Sequence, residues 1–374
     1  MDITINNEVQ ESFVINGALR DYLKSAFRAH HVFLTGRGAS AIHTILKAVC
    51  GPGSRVAIPS IICPSVPQAI IASGCQPVYL DIRLEDFNLD PGEMDILPGD
   101  VSAVIAPHMF GHPLRIEEIK RKCSERNILL IEDIAQSAGV KYRNKLLGCF
   151  GDVAIMSFHQ SKISGGLGGG ALIINRSAAH LAEKIHKTIE ELPTVPVDFQ
   201  IRSRGISARV NSLLEGARNG LGGENEIRRI YLDNLDLIPQ REKPENEPGN
   251  LESFISLEKE IVKRKTRSLK YRDLIKFPYV RHPELDDGEP VFRYSIIIDG
   301  NGGPDLAKQL TNQLRASGIH ASNLYYPAHR IFPDGSGRAL PKSSWVSDRI
   351  INLWLDDCAT DSYIQKTAEI IFRI

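Results

Sequence analysis

Short apolar runs, each closed by glycine, proline or a charged residue, recur through the first half of the chain. The segment HHVFLTGRGASAIHTILKAVCGPG reads as strand, glycine turn and helix. Ala41, Ile42, Ile45, Leu46 and Val49 recur there at helical spacing, and Gly51-Pro52-Gly53 stops the helix. The run SRVAIPS follows, then a helical SVPQAIIASG, then QPVYLDI, SAVIAPHMFG and NILLIEDIAQ. Leu129 to Ile131, Val153 to Met156 and Ala171 to Ile174 are likewise expected to be buried strands. Strands alternating with helical stretches predict an α/β domain around a mostly parallel, doubly wound sheet. In such sheets ligands lie outside the carboxyl ends of the strands, where Asp133, Ser157 and Lys162 fall.

From about Leu192 the alternation fades. RRIYLDNLDLIPQREKPENEPGN is rich in charge, Asn and Pro and reads as a connection between domains. LESFISLEKEIVKRKTRSLKYRDLI resumes as a helix with Phe254, Leu257, Ile261 and Val262 on one side. Its run of Lys263, Arg264, Lys265 and Arg267 reads as a solvated face. VFRYSIIIDG, a helix around Asp305 to Ser317, and RIINLWL then predict a smaller C-terminal α+β domain. The expected division is a large domain over 1–245, N-terminal segment included, and a small domain over 246–374.

Composition narrows the partners. With 42% hydrophobic and 24% charged residues, the 374-residue chain can bury substantial cores. Its 45 basic and 45 acidic residues cancel, so no global field recruits nucleic acid or an anionic membrane. The six cysteines form no CxxC pair, which argues for reduced thiols and against a metal site. No apolar run approaches the roughly 20 residues of a spanning helix, and MDITINNEVQESF has no signal-peptide pattern, so a cytoplasmic protein without a membrane partner is expected.

Two constellations carry candidate chemistry. Gly36-Arg37-Gly38-Ala39-Ser40-Ala41, between a strand and a helix, fits the G-x-G-x-x-A form that holds phosphate on exposed amides. A dinucleotide site would need an acid closing the next strand, but VAIPS ends in Ser60 and the first later acid is Asp81. One phosphate monoester, or a turn with no ligand, remains. Lys162, followed by Ile163-Ser164 and a glycine-rich tail, is an amine able to condense with a carbonyl such as that of pyridoxal phosphate (PLP). Asp133 is placed to keep a pyridine nitrogen protonated. The helix start at Gly38 to Ser40, with the Ser157 hydroxyl, can hold a phosphate. His108 and His112 are assigned to packing or turns.

On these residues the chain resembles the nucleotide-sugar aminotransferases of the DegT/DnrJ/StrS type, PLP enzymes of the aspartate aminotransferase (type I) fold. The matching stretches are GRGASAIHTILKAV, PGSRVAIPSIICPSVPQAIIASGCQPVYLDI with DFNLDP, VIAPHMFGHP, IEDIAQSAG and LGCFGDVAIMSFHQSK, and more loosely YYPAHRIF and IINLWL. The resemblance implies that Lys162 binds the cofactor carbonyl and later moves protons. It puts Asp133 on the pyridine nitrogen, Gln136 against the ring, Ser157, Gly38 and Ala39 on the phosphate with Ser40 adjacent, and His329 in a loop facing the substrate. It further implies transfer of an amino group from glutamate or glutamine to a keto-sugar carried on a nucleotide, in a homodimer. A lysine at 162 speaks against the family's deoxygenating branch, where histidine stands. The chain departs from the pattern at Ala39 (commonly Thr), at Cys63 (commonly aromatic), in the tail Leu167-Gly168-Gly169-Gly170 (commonly Gly-Glu-Gly-Gly), and in lacking an Asn-aromatic-Arg-Met signature. Another PLP reaction on the same scaffold, or a non-catalytic regulatory homologue, are the alternatives.

Overall fold

The computed structural model describes residues 17–284, 288–300 and 302–373; the opening stretch behind the signal-peptide expectation lies outside them. The apolar runs become strands β1 (His31–Thr35), β2 (Arg55–Pro59), β3 (Gln76–Leu80), β4 (Val101–Pro107) and β5 (Leu129–Asp133). A short hairpin, β6 (Lys141–Tyr142) and β7 (Lys145–Leu146), precedes β8 (Val153–Ser157) and β9 (Gly170–Ile174). Seven of them form one sheet in the order β1-β9-β8-β5-β4-β2-β3, all parallel except β9. Parallel pairing needs a crossover, usually a helix. The stretch from β8 to β9 contains Lys162 but no helix, so the chain turns straight back antiparallel.

Both faces of the sheet are buried, which is why its strands read as continuous apolar runs rather than alternating ones. Leu34, Val104, Leu130 and Ile173 pack into one layer, with Leu19, Leu23 and Phe27. Phe33, Ile105, Ile131 and Leu172 pack into the other, with Ile42, Ile45 and Leu46 of the helix Gly38–Val49.

His43 lies in that helix at 9% exposure, and its Nδ1 is buried without a hydrogen-bond partner among the described residues. Burial and then Lys47 push its pKa down to about 4. A histidine whose folded pKa is depressed favours the neutral form, so its contribution to stability is complete above pH 6.5 and lost as pH falls towards 4. Between pH 8 and 5 we expect about 2 kcal/mol of stability to vanish through this group. Urea titrations at both pH values should show a correspondingly smaller difference for His43→Leu than for the wild-type chain; equal differences would contradict the assignment.

The C-terminal part builds a second, antiparallel sheet, β10 (Val280–Arg281), β11 (Arg293–Ile298), β12 (Ala321–Ser322) and β13 (Ile350–Trp354), in the order β10-β11-β13-β12. Its core holds Tyr271, Tyr294, Ile296, Leu310, Leu314 and Leu353. The helix Leu257–Leu274 serves both parts: Leu257 and Ile261 enter the large-sheet core and Tyr271 the small one. Val262 is 61% exposed, off the expected apolar side. Arg264 is buried, with Nε on Glu260 at 2.6 Å and Nη1 on the Val291 carbonyl, so the cation run is not uniformly solvated.

Two helices, Phe199–Arg218 and Glu224–Leu232, occupy the stretch where the alternation fades. The first buries only Val210 and Ala217 along 20 residues, too little to write an apolar stripe into the sequence.

Candidate active site

The carboxyl ends of β1 and β8 meet the amino end of β9 at Gly170, whose partners are Thr35 on one side and Ser157 on the other. A Cβ on Gly170 would stand 2.4 Å from the Arg37 carbonyl carbon, so only glycine lets the turn before helix Gly38–Val49 settle onto the sheet edge. A Cβ on Gly38 would likewise come within 3.1 Å of the Ser157 Cβ.

The first intrahelical bond closes from Ala41 N–H to the Arg37 carbonyl, so the amides of Gly38, Ala39 and Ser40 precede it and are free to meet an anion. The Ser40 hydroxyl is already committed. It donates to the Ile238 carbonyl at 2.7 Å and is fully buried, so Ser40 can offer a phosphate only its amide. Ser157 Oγ accepts a long 3.4 Å bond from His159 N–H, and its own proton has no acceptor among the described residues.

Asp133 closes β5 at 7% exposure. Its Oδ1 accepts from Ala135 N–H at 2.9 Å, while Oδ2 has no donor among the described residues. Burial raises its pKa above the usual carboxylate value, against the opposing pull of the Ala135 amide, Lys162 and His108. A carboxyl in that state lacks a cationic hydrogen-bond partner. Lys162 is half-buried, and its Nζ makes no hydrogen bond or ion pair among the described residues; it stands 5.1 Å from the centre of the Phe292 ring.

Gln136 is fixed at both ends: Oε1 accepts from Phe110 N–H at 2.8 Å, and Nε2 donates to the Tyr325 hydroxyl at 3.2 Å. Tyr325 in turn stacks on Phe110, with ring centres 6.4 Å apart. His329 lies just past the carboxyl end of β2, with its Nδ1 engaged with Ser60 Oγ at 2.6 Å while Ala328 N–H bonds the Ser60 carbonyl. Burial, then Arg330, keeps its pKa below that of a free imidazole. Cys63, in the place commonly aromatic, is half-buried with its Sγ 3.1 Å from Ser65 Oγ.

Several residues that hold the site were not singled out in the sequence. Glu132, fully buried beside Asp133, accepts from the amides of Gly148, Phe150 and Gly151 and from His108 Nε2. Since His108 Nδ1 takes the Leu114 N–H, the imidazole proton sits on Nε2. Burial would raise the Glu132 pKa, but this set of donors outweighs it and leaves it lowered. His108, assigned to packing, is therefore a buried polar pivot, and an acid inside the apolar run LLIED was the signal for it. Asn250 left no such signal. Its Oδ1 accepts from Leu167 N–H at 2.7 Å and its Nδ2 donates to the Gly168 carbonyl at 2.8 Å, lacing the tail after Lys162 to the helix Glu247–Ile255.

Among the described residues these groups suit PLP: an acid with an open oxygen, a group of free amides beside a free hydroxyl, and an amine with no partner. The profile of the DegT/DnrJ/EryC1/StrS aminotransferase family matches residues 6–210, over half of the chain. The chain belongs to this family.

Among relatives of this aminotransferase-family chain, a pleiotropic regulatory protein from Geobacillus stearothermophilus is 34% identical over 159 residues, 42% of this chain and 42% of that protein. The match thus spans less than half the length of that relative. A dTDP-4-dehydro-2,3,6-trideoxy-D-glucose 4-aminotransferase from Saccharopolyspora spinosa is 26% identical across 91% of this chain and 85% of its own. The crystal structure of a DegT DnrJ EryC1 StrS aminotransferase from Brucella abortus has the same fold, with a TM-score of 0.73 and 22% identity over 99% of this chain and 90% of that one. The expected α/β fold with its mostly parallel sheet is thereby met. Among the described residues no helix is long and apolar enough to cross a membrane, and no group of His, Cys, Asp and Glu could hold a metal ion.

Proposed function

We propose that this protein is a PLP-dependent aminotransferase that moves an amino group from glutamate or glutamine to a keto-sugar carried on a nucleotide, as a cytoplasmic homodimer. The observation that carries the reading is the Lys162 amine, without a hydrogen-bond partner among the described residues, in the stretch between β8 and β9, with Asp133 closing β5 and the open amides of Gly38 and Ala39 at the helix start. The name of the Saccharopolyspora relative supports the substrate class.

When bound, PLP would supply an electron sink for charge released at the carbon bearing the amino group. The rest falls to the chain. The Gly38 and Ala39 amides and the Ser157 hydroxyl bind the phosphate, with the Ser40 amide beside them. Asp133 would hold a proton on the pyridine nitrogen, and its burial would sharpen that interaction by keeping water away. Gln136, clamped by Phe110 and Tyr325, sets the position of the ring. Lys162 Nζ would be the base that takes the proton from the donor carbon. His329, tied to Ser60, lines the acceptor's approach.

Purified protein reconstituted with PLP should show a visible absorbance band that fades on adding L-glutamate or L-glutamine and returns on adding a nucleotide-linked keto-sugar. Failure to retain PLP would refute the reading. Retention with no amino donor changing the band would favour a regulatory homologue, and a change with no return on any keto-sugar would favour another PLP reaction.

A further inference from the structure

Arg37 stands at the amino end of helix Gly38–Val49, a place normally filled by a side chain that accepts a hydrogen bond from the first amides. A guanidinium has five donors and no acceptor, and Arg37 makes no capping bond. A cation is also of the wrong sign there, because the open amides of the first turn already gather positive charge. The backbone pins it in that place: the Arg37 carbonyl accepts from Thr35 Oγ1 at 2.8 Å, and the residue bridges Gly169. The side chain is half-buried and has no carboxylate within ion-pair distance among the described residues. Its Nη1 donates to the Leu237 carbonyl at 3.1 Å, and its guanidinium carbon lies 5.3 Å from the centre of the Phe199 ring. Nε and Nη2 make no hydrogen bond among those residues. Arginine stays protonated in proteins, so this fork carries a full charge with two of its three nitrogens uncommitted.

The neighbours say where the fork lies and what it lacks. Leu237 takes Arg37 Nη1, and Ile238, the next residue, takes Ser40 Oγ, so the guanidinium runs alongside the first helical turn with its open amides. His159, two residues past Ser157, has its pKa lowered by partial burial first, then by Lys162 and then by Arg37, so both cations approach one imidazole at the strand ends. A phosphate monoester brings a charge of about −1.5 to −2 at pH 7. The groups placed around it so far, three amides and the Ser157 hydroxyl, carry no formal charge. Ala39 stands where threonine is common, and the Ser40 hydroxyl is spent on Ile238. We propose that Arg37 supplies the countercharge of the phosphate site, its free Nε and Nη2 gripping the cofactor's phosphate beside the helix start in place of the hydroxyl missing at 39. This rests on the reading of the site as a PLP site. Retention of the phosphate is then set by a charge rather than by a second hydroxyl, and it weakens with added salt.

The test titrates the full cofactor-free chain by calorimetry with PLP, pyridoxal and inorganic phosphate. Both aldehydes meet Lys162 alike, so the ratio of their affinities reads the phosphate alone. Wild type should prefer PLP. Arg37→Gln, which keeps an N–H for the Leu237 carbonyl but no charge, should shrink the PLP-to-pyridoxal ratio at least about tenfold and leave pyridoxal binding within about twofold. Arg37→Lys, with charge but no fork, should fall between, and it carries the comparison if circular dichroism shows the Gln variant unfolded. Added sodium chloride should weaken PLP binding by wild type more than by R37Q. An unchanged ratio in R37Q would overturn the inference. So would an unchanged ratio with weakened binding of uridine diphosphate, which would give the guanidinium to the diphosphate of the acceptor. If wild type binds neither aldehyde, the PLP reading falls and inorganic phosphate decides: tighter binding by wild type than by R37Q keeps Arg37 as a phosphate-holding cation, and equal or no binding removes it.

Discussion

Replacing Lys162 by alanine should abolish amino transfer, lowering turnover by about a thousandfold or more, while leaving the fold intact. The magnitude follows from the two roles proposed for Lys162, covalent attachment point and base, since a positioned proton-transfer group alone contributes roughly 10² to 10⁴. The side chain is half-buried and its amine makes no hydrogen bond among the described residues, so its loss costs none there. The thermal midpoint should stay near that of wild type. Borohydride treatment of the PLP-loaded protein followed by peptide mapping should mark Lys162, and the label should be absent from K162A. A label on another lysine, or turnover within tenfold of wild type, would refute the assignment.

Asp133→Asn should separate function from stability. Asparagine keeps the oxygen that accepts the Ala135 N–H but cannot hold a proton on a pyridine nitrogen, so turnover should fall by roughly a thousandfold or more. Stability should move the other way. A carboxyl whose folded pKa is raised stabilises the fold while protonated, and that contribution is lost as pH rises above its unfolded value. At pH 7 the buried carboxyl is thus a burden on the cofactor-free chain, and the amide removes it. Apo D133N should melt at or above the wild-type temperature at pH 7, with the difference vanishing towards pH 4. An apo variant that melts well below wild type would mean that the carboxylate is structural.

Much of this was legible because the large sheet is buried on both faces and its strands carry near-continuous apolar sequence, each ending in a turn or a polar residue. Asp133, Ser157 and the turn at Gly38 could be placed at strand ends from that pattern alone. The antiparallel sense of β9 could not, because nothing in ALII distinguishes direction; only the helix-free stretch before it does. Helix Phe199–Arg218 escaped because it buries two residues. Side-chain commitments were also invisible. Ser40 reads as a phosphate hydroxyl until Ile238, far along the chain, claims it, and Asn250 reads as part of a polar connection until it meets Leu167 and Gly168. Long-range partners decide these roles, and sequence proximity carries no trace of them.

The knot of Ser60 with Ala328 and His329, together with Gln136 on Tyr325, has a consequence for how such enzymes can be recombined. Phe292, Tyr325 and His329, which meet Lys162, Gln136 and Ser60, are encoded downstream of the helix shared by both cores. Exchanging the C-terminal portion between relatives would swap these three contacts together. A chimera would then inherit a new preference only if its sheet edge still offered partners like Ser60 and Gln136. Selectivity and inter-part adhesion therefore travel as one heritable unit.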